Sequence, residues 1–146
     1  MYGPNARGKK RPMFRQAFCS EDRKLPASPE ICVIDDDESV RSSTEGLLRS
    51  CGFQASVFES AEAFLASNAA ERCACVVSDI QMPGMSGVEL VELLSKRNVA
   101  IPVVLITAYH DNKTVARANA AGAVCVLPKP FSAEALIGCI KRATGI

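Results

Sequence analysis

From Ile31 onward the chain repeats one pattern. A short, unbroken apolar run is followed by a longer stretch in which apolar residues recur at helical spacing. Ile31-Cys32-Val33-Ile34 is the first run, and it ends in acids. Val40, Thr44, Leu47, Leu48 and Cys51 then recur three or four apart, which predicts a helix that Gly52 stops. Gln54–Phe58 reads as a strand less apolar than the others, which places it at a sheet edge. Ser60 is positioned to cap a helix carrying Ala63, Phe64 and Leu65. Cys73–Val77 is the third run and leads to Asp79. Ser86 with Glu89 three residues later forms a capping box before Leu90, Leu93 and Leu94. Val103–Ile106 is the fourth run and ends at Thr107. Asp111 caps a helix closing at Gly122; its one large apolar residue is Val115, so it is expected to pack weakly. Val124–Leu127 is the fifth run, and Ser132 caps a last helix that turns Leu136, Ile137 and Ile140 inward.

Five strands alternating with five helices predict an α/β fold built on a parallel sheet. Unbroken apolar strands mean that both sheet faces are covered. Five such units suit the flavodoxin-like, doubly wound, five-stranded parallel sheet of order 2-1-3-4-5. This unit is expected over residues 30–146, as a single domain without internal repeats.

Residues 1–29 lack that periodicity. They are rich in Gly, Pro, Lys, Arg and Ser and are expected to form a mobile arm. Residues 1–30 carry seven Lys/Arg and three acids, whereas residues 31–146 carry ten and thirteen, so the basic charge belongs to the arm and the repeating part is mildly acidic. The basic cluster has no aromatic interleaving, and direct nucleic-acid binding is not expected. No 18-residue apolar run spans a membrane, and Lys9, Lys10 and Arg11 replace the apolar stretch of a signal peptide, which leads to an expected cytoplasmic location. The seven cysteines have no disulfide-like spacing; Cys32, Cys73, Cys75 and Cys125 lie in apolar runs and read as small buried hydrophobes. A strand would put Cys73 and Cys75 on one sheet face, and no second Cys/His pair completes a zinc site.

The chemistry lies where the runs end. The first stops at Asp35-Asp36-Asp37, the third at Asp79, the fourth at Thr107 and the fifth near Lys129. In a doubly wound sheet these ends share the carboxyl edge. Crowded carboxylates repel one another and call for a cation, and oxygen ligands select a hard ion such as Mg²⁺. A carboxylate can act as a nucleophile toward phosphorus, and a transferring phosphoryl group needs its charge neutralised and its oxygens held. Lys129 supplies charge and Thr107 a hydroxyl donor, while Asp37 alone reads as a helix cap. His110, the single histidine, has no triad around it and is expected on an exposed loop.

Val33-Ile34-Asp35-Asp36-Asp37, Ser78-Asp79-Ile80-Gln81-Met82-Pro83-Gly84-Met85-Ser86-Gly87, Ile106-Thr107-Ala108 and Lys129-Pro130-Phe131 together resemble the signature set of bacterial two-component response-regulator receivers. Ser60–Leu65 and Ala121–Val124 resemble the FixJ-like subgroup. The resemblance runs from about Glu30 to the end. It implies that Asp79 accepts a phosphoryl group from a histidine kinase or phosphotransfer protein. It implies Mg²⁺ on Asp35, Asp36, Asp79 and the backbone carbonyl of Gln81. It further implies that Thr107 bonds the phosphoryl oxygen, that Lys129 pairs with it across a cis Lys129-Pro130 bond, and that Ala108 stays small so the loop can close. Gln81 and Tyr109 stand where relatives tune dephosphorylation. Two departures stand out. Val126 occupies the place of a frequent aromatic switch residue, and Pro128 precedes the lysine.

A haloacid-dehalogenase-type phosphatase also uses an Asp nucleophile, but it needs an acidic pair after its lysine, and here only Glu134 follows. A degenerate receiver serving only as an interaction module would lack acids that this chain retains. The expected function is thus a phosphorylation switch rather than an enzyme, with a possible homodimer through the fourth-helix–fifth-strand face. The chain ends shortly after the last helix, so it reads either as a stand-alone receiver or as a fragment without an effector domain.

Overall fold

The computed structural model describes residues 28–145. The arm expected over 1–29 lies, but for its last two residues, outside the described residues. Five strands, β1 (Glu30–Ile34), β2 (Gln54–Phe58), β3 (Cys75–Asp79), β4 (Val103–Thr107) and β5 (Cys125–Pro128), form one parallel sheet of order β2-β1-β3-β4-β5. Five α-helices connect and cover them: α1 (Glu38–Ser50), α2 (Ala61–Ala66), α3 (Gly87–Lys96), α4 (Asn112–Ala121) and α5 (Ala133–Thr144). The sheet order and helix count are those that the sequence pattern predicts.

Strand alternation divides the core into two layers. On one face Cys32, Ile34, Val76, Ile80, Val103 and Leu105 pack with Phe64 of α2, Leu90, Val91 and Leu94 of α3 and Ala118 of α4. On the other, Ile31, Val33, Val77, Val104 and Ile106 pack with Leu48 of α1 and Leu136, Cys139 and Ile140 of α5. β1, β3 and β4 are buried almost throughout, whereas β2 and β5 are the edges, and Val57 within β2 and Val124 just before β5 are exposed.

The helix starts are local chemistry. Asp37, Ser60, Asp111 and Ser132 accept backbone N–H groups of the first turns of α1, α2, α4 and α5. Ser86 and Glu89 make the full reciprocal capping box at α3. Gly122 ends α4 at φ 113°, a left-handed conformation that a side chain would resist.

Four details differ from the sequence reading. A short 3₁₀ turn, Ala69–Glu71, follows α2, and Cys73 donates its N–H to Ala69 O at 2.9 Å, so β3 begins only at Cys75. Cys73 and Cys75 therefore do not share a sheet face: Cys73 packs in the α2-α3-α4 layer and Cys75 in the α1-α5 layer. Cys32 and Cys75 are buried as expected, but Cys73 and Cys125 are only half-buried. The fifth strand starts at Cys125 rather than Val124, which is 44% exposed.

Candidate functional site

Each site residue sits where an apolar strand runs out at the sheet's carboxyl edge. Asp35 follows β1, Asp79 closes β3, Thr107 closes β4, and Lys129 follows β5. Their backbone is fixed by the ladder: Asp79 pairs with Ile106 and Thr107 with Pro128. Pro128 breaks no ladder bond, because the carbonyl of Thr107 accepts from the following residue, Lys129 N, at 2.8 Å. The Lys129-Pro130 bond is cis.

The edge is held from below by α3. Gly87 opens that helix, and a Cβ there would collide with the backbone carbonyl of Asp79 and the side chain of Leu105. Glycine thus lets α3 start directly against the end of β3. Glu62 of α2 steadies the loop between them, accepting the N–H of Met85 at 2.9 Å. That hydrogen bond holds the Glu62 carboxyl below its ordinary pKa. The Glu62 contact joins residues far apart in the chain, and its spacing alone gave no sign of it.

Asp35, Asp36 and Asp79 each offer a carboxylate oxygen within 4.8 Å of the others; Asp35 and Asp79 are buried and Asp36 is exposed. Asp35 Oδ1 also accepts the N–H of Asp37 at 2.9 Å, and Arg41 Nη1 donates to the Asp35 carbonyl at 2.8 Å. Lys129 Nζ reaches between the buried pair, 3.2 Å from Asp79 Oδ2 and 3.3 Å from Asp35 Oδ2. One amine does not balance these acids. Burial raises the Asp79 carboxyl above its ordinary value, Lys129 draws it down, and Asp35 pushes it up again. The two carboxylates hold Lys129 protonated, above its usual pKa, against the opposing effect of its burial. An all-oxygen donor set with surplus negative charge, open to solvent through Asp36, fits a hard divalent cation.

Thr107 is fully buried, and its hydroxyl is already engaged. Oγ1 donates to Gln81 Oε1 at 2.9 Å and accepts the N–H of Tyr109 at 2.9 Å. His110 is exposed, as expected, but it is not idle: Nε2 lies 3.1 Å from the carbonyl oxygen of Val126. The loop after β4 is therefore tied at Gln81 and at β5, two contacts that the sequence does not disclose.

Residues 31–141 match the family described as the response regulator receiver domain. The chain belongs to that family. This receiver is 38% identical over 113 residues to the transcriptional regulatory protein FixJ of Bradyrhizobium diazoefficiens, covering 77% of this chain and 55% of that protein. The chain thus spans about half the length of the curated relatives it matches. The crystal structure of FixJ-N superposes with a TM-score of 0.75 at 38% identity, over 82% of this chain and 95% of that one. A beryllofluoride-activated DrrB receiver domain superposes with a TM-score of 0.74 at 28% identity, over 82% of this chain and 100% of that one. The FixJ-like resemblance read from the motifs holds. The receiver is a signalling protein of two-component systems rather than an enzyme. Its Asp35, Asp36 and Asp79 form the acidic pocket typical of phosphoaccepting response regulators. Among the described residues, no helix is long and apolar enough to cross a membrane.

Proposed function

We propose that Asp79 is the phosphoryl acceptor of a two-component relay, with Mg²⁺ held by Asp35, Asp36, Asp79 and the backbone carbonyl of Gln81. The observation that carries this reading is the convergence of three carboxylates, Lys129 and Thr107 at the ends of four neighbouring strands. The donor is a phosphohistidine, on a histidine kinase or phosphotransfer protein. A carboxylate oxygen of Asp79 attacks the phosphorus, the P–N bond breaks, and the imidazole leaves. Bound Mg²⁺ would neutralise charge on the transferring group. Lys129 Nζ, 3.2 Å from Asp79 Oδ2, neutralises it from the other side. An open groove of about 540 Å³ beside Lys129, lined by Val40, Leu47, Pro130 and Phe131, offers an apolar surface on which the donor protein can settle.

The signal leaves through Thr107. The new phosphoryl oxygens compete with Gln81 Oε1 for the Thr107 hydroxyl, and a charged acceptor outbids a neutral amide. Turning Oγ1 away also disturbs the Tyr109 N–H that it accepts, so the loop into α4 moves. That movement changes the α4–β5 face presented to a partner or to a second copy of the chain. Val126, half-buried and β-branched, adds little swing of its own.

The test is labelling with acetyl phosphate and Mg²⁺. One phosphoryl group, labile to hydroxylamine, is expected on the wild-type chain, and Asp79→Asn should lower the labelling rate at least ~100-fold, as loss of a nucleophile does. Unchanged rate and stoichiometry in Asp79→Asn would remove Asp79 from the role.

A further inference from the structure

Away from the acidic pocket, two thiols and a guanidinium meet between the edge strand and the last helix. Cys125 opens β5, Cys139 lies in α5, and Arg142 stands in the last turn of α5. Arg142 Nη2 lies 3.2 Å from Cys125 Sγ and 3.3 Å from Cys139 Sγ. A single nitrogen within reach of both sulfurs holds the two thiols side by side, and a neighbouring cation is the setting in which cysteines react. The two sulfurs are not equivalent. Cys125 is half-buried, whereas Cys139 is 2% exposed, so a small oxidant meets Cys125 first. Burial and the neighbouring Cys125 push the Cys139 thiol up to about 11, and Arg142 works against that rise. Exposed Cys51 differs: among the described residues the polar contact of its sulfur is Ser50 Oγ, 4.0 Å away.

We propose that Cys125 and Cys139 are a redox-active dithiol that hydrogen peroxide closes into a disulfide between β5 and α5. The Cys125 thiolate attacks the peroxide, forming an S–O bond as the O–O bond breaks; the departing hydroxide takes a proton and leaves as water. Cys139 sulfur then attacks the Cys125 sulfenic acid, the S–O bond breaks, and the hydroxyl leaves with the Cys139 proton as a second water. Two thiols and one peroxide become one disulfide and two waters, and a dithiol reductant reverses the bond. The joined residues flank Lys129 and Pro130, so closure ties together the two ends of the segment that aims Lys129 at Asp79.

Peptide mapping of the full chain tests this independently of phosphorylation. The protein is treated with hydrogen peroxide until Cys51 is oxidised, free thiols are blocked, and the chain is cut with trypsin and Glu-C. Trypsin alone leaves both cysteines on one peptide because Lys129 precedes Pro130, and cleavage after Glu134 separates them. The expected product is a Cys125–Cys139 cross-linked pair lighter by two hydrogens and released by dithiothreitol. Cys139→Ser should leave Cys125 as a sulfenic acid that dimedone traps. Arg142→Met should slow closure about 10-fold, and Arg142→Lys should restore much of the rate. Oxidised Cys51 alongside a free Cys125 and Cys139 overturns the proposal, as does cross-linking of Cys125 to another cysteine in preference to Cys139.

Discussion

Helices α3 and α4 are each ten residues long, start from a side-chain cap and follow a fully buried strand. They nonetheless hold the sheet very differently. α3 buries Gly87, Val88, Leu90, Val91 and Leu94, and its first residue presses on the carbonyl of Asp79. α4 buries only Ala118. Beyond the partly buried Ala121 and Val115, its hold on the fold is polar and local: the Asp111 cap, the Gln81–Thr107–Tyr109 hydrogen bonds before it and the His110 contact to Val126. The carboxylate proposed as acceptor, Asp79, therefore stands on the fixed side of the pocket, and the Thr107 hydroxyl stands on the loose side. A local charge change can move an element that little apolar surface restrains, while the element beside it stays in place.

Truncation should expose this difference most strongly. Leu90→Ala removes a fully buried side chain and is expected to cost about 3 kcal/mol of unfolding free energy, whereas Val115→Ala, at a half-buried position of α4, should cost less than about 1 kcal/mol. Urea melts of the two variants decide it, and equal costs would erase the contrast.

The fixed side of the pocket has its own signature in pH. Burial, opposed by Lys129 and reinforced by Asp35, raises the native Asp79 pKa above its ordinary value of 3.8. The native state thus holds that proton more tightly than the unfolded chain does. Ionisation costs native stability as pH rises through the raised value, and the cost disappears below the ordinary value, where both states are protonated. In EDTA, Asp79→Asn should raise the melting temperature by a few degrees at pH 7, with the gain vanishing below pH 3.8. Lys129 keeps Asp35 at 3.3 Å in that variant, so the amine is not stranded. A variant that melts lower than wild type at pH 7 would show that the Lys129 pair outweighs the burial of the carboxylate.

A smaller effect is expected on the loose side. Gln81→Ala keeps the backbone carbonyl but removes the acceptor of the Thr107 hydroxyl, at a cost of about 1 kcal/mol. Hydrogen exchange should then quicken across α4 and stay unchanged across α3. Equal quickening in both helices would mean that this bond braces the whole pocket rather than the loop.

Much of this contrast was legible in the chain. The alternation of apolar runs and helical periods gave the sheet, its order and the carboxyl edge, because parallel strands buried on both faces leave continuous apolar runs. The shortage of large apolar residues between Asn112 and Ala121 foretold a weakly held α4. Asp35, Asp36, Asp79, Thr107 and Lys129 could be named because each follows a strand, and strand ends of a doubly wound sheet converge by topology. Contacts set by side-chain geometry across the chain were not legible. Gln81 reaching Thr107, Glu62 reaching Met85 and Arg142 bridging two thiols depend on rotamers and on loop paths that no periodicity encodes. The start of β3 was misplaced for a similar reason: the 3₁₀ turn before it draws Cys73 out of the apolar run and into the opposite layer.

On the proposed function, a phosphoryl group at Asp79 moves α4 through Thr107 while α3 stays fixed. Backbone NMR of the chain with Mg²⁺, before and after beryllofluoride, tests it most directly. The expected result is large shifts at Asp79 and Thr107 and across Asn112–Ala121, small ones across Val88–Lys96, and loss of the α4 shifts alone in Thr107→Ala. Shifts confined to the pocket with α4 silent, or α4 shifts that persist in Thr107→Ala, would contradict it.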